Sequence, residues 1–341
     1  MLGRLARELP TDGFVYEPKW DGFRCLAFRD GADVDLRSRH DRPLGRYFPE
    51  LCEALLALEE WRFVLDGEIV VLRDGRFDFT ALMERIHPAA SRVELLRNET
   101  PALFIAFDLI ARGDEDLSGA PFARRRQALE DLLGAASPSL RLTPLTKSAA
   151  EAATWLDRHQ GSGIDGVMAK RPDLPYLPGK RAMVKVKPEQ TADCVVAGFR
   201  VFGEPPVVAS LLLGLYDTEG RLEHVGVASA FSEARRAELV DELAPHIVAL
   251  EDHPWKEGFL LGGGATGRLA GAAGRWDTGM ALDWVPLAPR LVCEVAYDQH
   301  DGHRFRHAAR FKRWRPEREP ASCTTDQLET PEHAAEEALS S

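Results

Sequence analysis

A lysine placed just before an Asp-Gly turn constrains this chain more than any other feature. The run is Glu17-Pro18-Lys19-Trp20-Asp21-Gly22-Phe23-Arg24. Asp-Gly favours a tight turn, and the residues on both sides indicate short strands over 15–17 and 24–29. The run therefore predicts a strand-rich fold that presents a lysine at a turn. By itself it fits two readings, a surface hairpin with a solvated lysine and a lysine nucleophile that attacks a nucleotide phosphate.

Composition narrows the class of protein. The 341 residues suffice for two domains, and the apolar fraction of 45% is that of a globular protein with a full core. Five scattered cysteines without a Cys-x-x-Cys pair support neither a zinc ribbon nor a disulfide framework. The first ten residues lack a secretory apolar region, and the longest apolar stretch, 207–216, is about half a membrane span. We therefore expect a soluble cytoplasmic protein with no membrane partner.

The charge distribution is uneven. A net charge of −11 argues against a nucleic-acid partner, but the segment 316–341 carries −6 of it. Basic residues cluster at Lys180, Arg181, Lys185 and Lys187, and again over 304–318. Because a local basic surface can bind phosphates whatever the total charge, a nucleic-acid partner stays open.

The composition changes near Pro188 and predicts an α+β fold of two domains. Residues 1–189 mix short strands with helices, which indicates antiparallel sheets with flanking helices. Strands then dominate, with one helix over 232–250, a Gly/Ala-rich loop over 262–274 and later strands over 290–297 and 305–311. We predict an oligonucleotide-binding (OB) type β-barrel over 190–316, followed by an acidic, disordered tail over 317–341.

Several other side chains suit nucleotide chemistry. Lys185 and Lys187 alternate onto one strand face, where both could reach a triphosphate. Glu68 follows a predicted Asp66-Gly67 turn between two strands and could bind a metal or a ribose. Each also has a simpler reading, as a solvated strand face and an exposed turn residue. Neighbouring cations and partial burial are expected to lower the pKa of Lys19, which is ordinarily near 10.4.

In chain order these pieces resemble the motifs of covalent nucleotidyltransferases. The motifs are Lys19-Trp20-Asp21-Gly22-Phe23-Arg24, Ser38-Arg39, Asp66-Gly67-Glu68, Phe107-Asp108-Leu109, Asp165-Gly166-Val167-Met168-Ala169-Lys170, Lys185-Val186-Lys187 and, near the end, 310–318. Within that superfamily the chain resembles an ATP-dependent DNA ligase of the short bacterial ligase C type. In that family the motif that begins here at Asp165 usually begins with glutamate; aspartate is one methylene shorter, so its reach to a metal is altered.

The resemblance implies a role for each matching residue. Lys19 would form lysyl-AMP, with Glu17 and Phe107 holding the adenine. Arg24, Arg39 and Glu68 would position the ribose and the phosphates, and Glu68 and Asp165 would lie near the metal. The residues expected to hold phosphates are Arg181, Lys185 and Lys187. Those expected to approach ATP from a mobile second domain are Arg310, Arg313 and Arg315.

It also implies the cofactors and partners. ATP would be the AMP donor, with Mg²⁺ or Mn²⁺ as the metal. The substrate would be nicked double-stranded DNA, with repair polymerases or end-binding proteins as partners of a monomeric enzyme that associates with the nucleoid.

Three alternatives remain open at this point. An NAD-dependent ligase is disfavoured, because only 18 residues precede Lys19 and the four-cysteine zinc site is missing. An RNA-end-joining or RNA-capping nucleotidyltransferase shares most motifs, but its class lacks the ligase-like final motif. A non-catalytic nucleic-acid-binding protein on a ligase scaffold would not need Lys19, Glu68, Lys185 and Lys187.

Overall fold

The chain forms two compact units. A computed structural model describes residues 1–134, 138–158, 164–256, 284–300 and 303–328. The first unit spans Met1–Pro188 and the second begins at Glu189. The predicted loop over 262–274 lies outside the described residues.

The first unit contains eleven strands and five helices among its described residues. The strands are β1 (Gly3–Ala6), β2 (Val15–Trp20), β3 (Phe23–Asp30), β4 (Asp33–Ser38), β5 (Arg62–Arg73), β6 (Arg76–Phe77), β7 (Ala102–Arg112), β8 (Glu115–Asp116), β9 (Leu140–Leu142), β10 (Ile164–Lys170) and β11 (Met183–Val186). The helices are α1 (Pro49–Leu56), α2 (Phe79–Glu84), α3 (Ala90–Glu99), α4 (Phe122–Leu133) and α5 (Ala149–Arg158).

These strands form two sheets. The smaller sheet has the order β1-β11-β10-β2, and the larger has the order β4-β3-β5-β7-β8, with β6 beside β5 and β9 beside β7. Helices α1, α2 and α4 contribute apolar side chains to the core of the larger sheet. Helix α5 packs Ala152 and Trp155 against Tyr16 and Val167 of the smaller sheet. Each sheet thus buries its own apolar face.

The second unit is a barrel-like antiparallel sheet. Its strands are β12 (Gln190–Phe202), β13 (Val207–Tyr216), β14 (Leu222–Ala228), β15 (Val285–Tyr297) and β16 (Arg310–Trp314), and its helix is α6 (Glu233–Leu243). The sheet order is β14-β13-β12-β15-β16. The segment before β16 runs beside β14, where the amides of Phe305 and Ala309 donate to Val225 and Val227 carbonyls at 2.8 Å. The predicted α+β class with an OB-type barrel is confirmed.

Several predicted boundaries differ in the second unit. Helix α6 ends at Leu243 rather than 250, because Pro245 lacks the N–H that a continuing helix needs. The last strand runs over Arg310–Trp314 rather than 305–311.

The predicted turn at Asp66-Gly67 is wrong. β5 is one continuous strand, and the pairing with β7 shifts register between Asp66 and Gly67. A Cβ atom at Gly67 would lie 2.4 Å from Phe104 Cζ and 2.7 Å from the Ile105 carbonyl oxygen. The glycine therefore permits a close approach inside the sheet rather than a turn.

The prediction of disorder from residue 317 onward is wrong for residues 317–328. Cys323 and Leu328 are buried in the core of the second unit. The side-chain amide of Gln327 accepts a hydrogen bond from the Asp193 amide at 2.9 Å and donates to its carbonyl at 3.1 Å. These contacts order an acidic segment that composition alone marks as disordered. The remainder, 329–341, lies outside the described residues.

Within the described residues, no helix combines the length and apolar character needed to cross a bilayer.

Candidate active site

Lys19 lies where the chain passes from one sheet to the other. It is the fifth residue of β2 in the smaller sheet, and after Asp21-Gly22 the chain enters β3 of the larger sheet. A Cβ atom at Gly22 would lie 2.2 Å from the Ile69 carbonyl oxygen of β5. The Asp-Gly pair therefore allows a close crossing between sheets and does not close a hairpin of β2 with β3.

Asp165 joins Lys19 to Lys187. The Lys19 ammonium contacts Asp165 Oδ2, and Lys187 Nζ lies 2.6 Å from the same oxygen. Side-chain exposure is 24% for each lysine and 5% for Asp165. Gly166 makes this approach possible, because it has a φ of 137° and lies against the Val186 carbonyl oxygen. The motifs that contain Lys19, Asp165 and Lys187 thus meet at one carboxylate.

The Asp165 carboxylate shifts the pKa of Lys19 in the direction opposite to the one expected from the sequence. Burial alone would lower the pKa, but Asp165 and, more weakly, Glu68 and Asp21 outweigh it and raise the pKa above its ordinary value. The prediction of a lowered pKa for Lys19 is therefore wrong. The reason is that the nearest charge to Lys19 is a carboxylate, so the lysine rests as an ammonium ion.

Lys185 and Glu68 show the opposite effects of burial. Burial, Lys187 and Lys19 lower the pKa of Lys185. Burial raises the pKa of Glu68 to about 8, although Lys19 and Arg24 oppose the shift. Glu68 lies directly across the β3–β5 ladder from Arg24. A partly buried carboxyl group with these cationic neighbours can serve as a ligand for a metal or for ribose hydroxyls.

Glu17 forms a second polar centre beneath Phe107. It is buried, with Lys170 Nζ 2.7 Å from Oε2 and Arg126 Nη1 3.6 Å from Oε1. Burial raises the pKa of Glu17 against the opposing effect of both cations. Lys170 Nζ also donates to the Phe107 carbonyl oxygen at 3.1 Å and lies 5.0 Å from the Phe107 ring centre. The two residues predicted to hold adenine are therefore joined through Lys170.

Arg24 is held by Asp66. Its Nε donates to Oδ1 at 3.0 Å and its Nη2 to Oδ2 at 2.6 Å, a bidentate pair that fixes the guanidinium plane. The guanidinium carbon lies 5.8 Å from the Phe107 ring centre. Arg24 is thus placed beside Phe107 and Glu68 and away from the carboxylate that holds Lys19.

The remaining predicted residues are five arginines, two on the first unit and three on the second. Arg39 is exposed after β4, and Arg181 is exposed before β11. In the second unit, Arg310 lies 3.4 Å from Glu189, Arg313 lies 2.9 Å from Glu294, and Arg315 lies 3.0 Å from Asp193. For these five arginines a nucleotide contact stays a prediction.

The residues of this site suit a nucleotide together with a metal ion that takes some of its ligands from the nucleotide phosphates. Glu17 Oε1 is a buried acceptor with no hydrogen-bond partner among the described residues, which suits a donor on a purine base. No group of three or more His, Cys, Asp or Glu side chains in that part of the chain could hold a metal by itself. Glu68 and Asp165 would be the carboxylates for Mg²⁺, which commonly binds one or two carboxylates and completes its shell with substrate phosphates and water.

Four residues of this network had no role assigned from the sequence. They are Asp66, Arg126, Lys170 and Tyr176. Asp66 and Lys170 belong to the motifs described above. Their positions therefore indicated that they matter, but the sequence predicted no role for either. Arg126 lies on an ordinary amphipathic helix and Tyr176 in a Pro/Gly-rich loop, and nothing in their local sequence indicates the contacts they make.

Comparison with known proteins identifies the family of the chain. The ATP dependent DNA ligase domain matches residues 3–187, and the ATP dependent DNA ligase C terminal region matches residues 205–318. DNA ligase C2 of Mycolicibacterium smegmatis is 50% identical, over 98% of this chain and 95% of that protein. DNA ligase C of Mycobacterium tuberculosis is 49% identical, over 97% of this chain and 93% of that protein.

A solved structure from a study of Lig E DNA ligases shares the fold. Its TM-score is 0.55 at 17% identity, over 92% of this chain and 99% of that one. The family matches cover both units, and the relatives align along nearly the whole chain. This protein therefore belongs to the family of ATP-dependent DNA ligases.

Proposed function

We propose that this protein is an ATP-dependent DNA ligase that seals 3′-hydroxyl/5′-phosphate nicks in duplex DNA through a lysyl-AMP intermediate. The observation that carries the proposal is the meeting of Lys19, Asp165 and Lys187 beside Glu68, in a chain of this family. A solvated surface lysine would not be three-quarters buried against a carboxylate shared with a second lysine.

The first step transfers AMP from ATP to Lys19. Lys19 loses a proton, for which Asp165 is the adjoining acceptor. Its Nζ then bonds to the α-phosphorus, the α–β phosphoanhydride bond breaks and pyrophosphate leaves. Lys187 and Lys185 lie on one face of the strand and its extension, and supply positive charge to the phosphates. A divalent cation held by Glu68 and Asp165 would supply further positive charge there.

The remaining steps use the same nucleotide. The 5′-phosphate of the nick attacks the lysyl-AMP phosphorus and frees Lys19, and the 3′-hydroxyl then attacks the activated 5′-phosphate and expels AMP. During these steps Glu17 and Phe107 hold the base, while Arg24, Arg39 and Glu68 position the ribose and the phosphates. Arg181 contributes a further phosphate contact. All these assignments rest on the motif positions, and those of Glu17, Phe107, Arg24 and Glu68 rest also on the contacts described above.

The two units divide this work. Residues 1–189 act as the adenylation domain and 190–316 as the OB domain, whose Arg310, Arg313 and Arg315 approach ATP in the first step only. The enzyme works as a monomer on DNA breaks, which would place it at the nucleoid with repair polymerases or end-binding proteins.

Nick sealing with defined substrates tests this function. Full-length protein, Mg²⁺ and a labelled nicked duplex are combined with ATP or GTP, and an all-DNA nick is compared with a nick in an RNA hybrid. We expect sealing of the DNA nick with ATP, none with GTP and none by Lys19→Ala. Lys147→Ala, an exposed lysine outside the site, serves as the matched control and should seal normally.

Sealing restricted to RNA ends would identify an RNA-joining enzyme and contradict the proposal. Labelling by GTP in preference to ATP would indicate a capping enzyme. Binding to DNA without any sealing would indicate a non-catalytic scaffold.

A further inference from the structure

Tyr176 is a buried tyrosine in the loop that joins the two strands carrying the catalytic lysine's partners. The loop, residues 171–182, connects β10 with β11, and Tyr176 is its buried residue. The Tyr176 amide donates to the Ser118 carbonyl oxygen at 2.8 Å, and the Arg125 guanidinium lies 5.7 Å from the ring centre. Arg125 is itself held by a buried bidentate pair with Asp108. The backbone and ring of Tyr176 are therefore held by groups other than Arg24, whose Nη2 lies 3.5 Å from the Tyr176 hydroxyl oxygen.

The hydroxyl of Tyr176 meets the carboxylate that holds Arg24. It donates to Asp66 Oδ2 at 2.8 Å, and the same oxygen accepts from Arg24 Nη2 at 2.6 Å. Burial, followed by the charge of Asp66, raises the pKa of Tyr176, so the hydroxyl remains a donor at neutral pH. Asp66 pairs with Asp108 of β7 immediately before the register shift between Asp66 and Gly67. The tyrosine thus holds the same carboxylate oxygen that Arg24 Nη2 binds, as a neighbour of Arg24.

We propose that Tyr176 is a positioning residue for nucleotide binding, acting through Asp66 to set the orientation of Arg24 beside Phe107. Arg24 has 24% of its side chain exposed, so it can contact a ligand, whereas Asp66 at 1% cannot. A shift of the carboxylate would tilt the bidentate guanidinium and move it relative to Phe107 and Glu68. This inference rests on the proposed function of the site.

The test compares Tyr176→Phe with Tyr16→Phe in the full-length protein. Tyr16 is a matched control because it is also buried in the first unit and its hydroxyl bonds the Pro10 carbonyl oxygen, away from Arg24. Self-adenylation is followed with α-labelled ATP over a range of concentrations, and thermal unfolding is measured in parallel. We expect Tyr176→Phe to raise the KM for ATP about tenfold, the effect of losing one hydrogen bond to a charged group. The maximal rate should change by less than about twofold, because the chemical step at Lys19 is untouched.

Tyr16→Phe should leave both kinetic constants near those of the wild type, even where its melting temperature falls. In an Asp66→Asn background, Tyr176→Phe should add no further rise in KM, because its route to Arg24 has been removed. An unchanged KM in Tyr176→Phe, or a rise that adds fully to that of Asp66→Asn, would overturn the inference. Should Asp66→Asn not fold, the comparison of the two tyrosine variants still decides. Failure of the wild type to take up label would instead overturn the proposed function.

Discussion

At the scale of single residues, the resting state of Lys19 is set by Asp165 rather than by nearby cations. The Asp165 carboxylate, which also contacts Lys187, raises the pKa of Lys19 against the lowering effect of burial. The sequence identified all three residues through their motifs. It could not show that the acid lies between the lysines, because that contact joins strands separated by 146 positions in the chain. The shorter side chain of aspartate is long enough for this contact.

Replacing Asp165 should slow self-adenylation strongly. Asp165→Asn keeps the size but removes the charge, leaving two ammonium groups that repel each other and move out of position. We expect the rate of self-adenylation, measured with α-labelled ATP, to fall about 100-fold. A small misplacement of the reacting groups has an effect of this size. Asp165→Glu keeps the charge and should retain more activity than Asp165→Asn. Equal rates for wild type and Asp165→Asn would show that the shared contact has no part in the reaction.

At the scale of elements, β5 shows where local sequence signals mislead. Asp-Gly predicts a turn, yet the alternation of apolar residues continues through it and the structure keeps one strand over Arg62–Arg73. The tertiary requirement is at Gly67, which faces Phe104 and Ile105 of β7. Most strands and helices of the first unit follow from their apolar patterns. The division of β2 and β3 between two sheets does not, because strand pairing is decided by long-range packing.

Gly67→Ala should therefore destabilise the first unit. The added methyl group would meet a backbone oxygen that cannot move without disturbing the sheet, and we expect a loss of about 2–3 kcal/mol in the free energy of unfolding. Gly119→Ala is the control, because no atom lies within 4 Å of its added Cβ, and it should stay within about 0.5 kcal/mol of the wild type. Denaturant unfolding measures both, and equal midpoints would contradict the account of β5.

At the scale of the whole molecule, the order of the motifs predicted the family and its fold better than the composition did. The net charge of −11 argued against DNA, and the acidic end of the chain argued for disorder from 317, yet residues 317–328 pack into the second unit. Cys323 and Leu328 supply apolar contacts that the acidic composition of the whole segment does not reveal. The buried networks around Glu17 and Asp66 could not be predicted from the sequence either. Arg126 and Tyr176 lie in segments whose local sequence gives no sign of these contacts.

The central claim is that ATP modifies Lys19 covalently, and mass spectrometry tests it most directly. The full-length protein is incubated with ATP and Mg²⁺ without DNA, and its peptides are mapped. The account predicts one AMP on the peptide containing Lys19, reversed by pyrophosphate, absent from Lys19→Ala and retained in Lys147→Ala. No adduct in the wild type, or an AMP group that persists in Lys19→Ala, would contradict it.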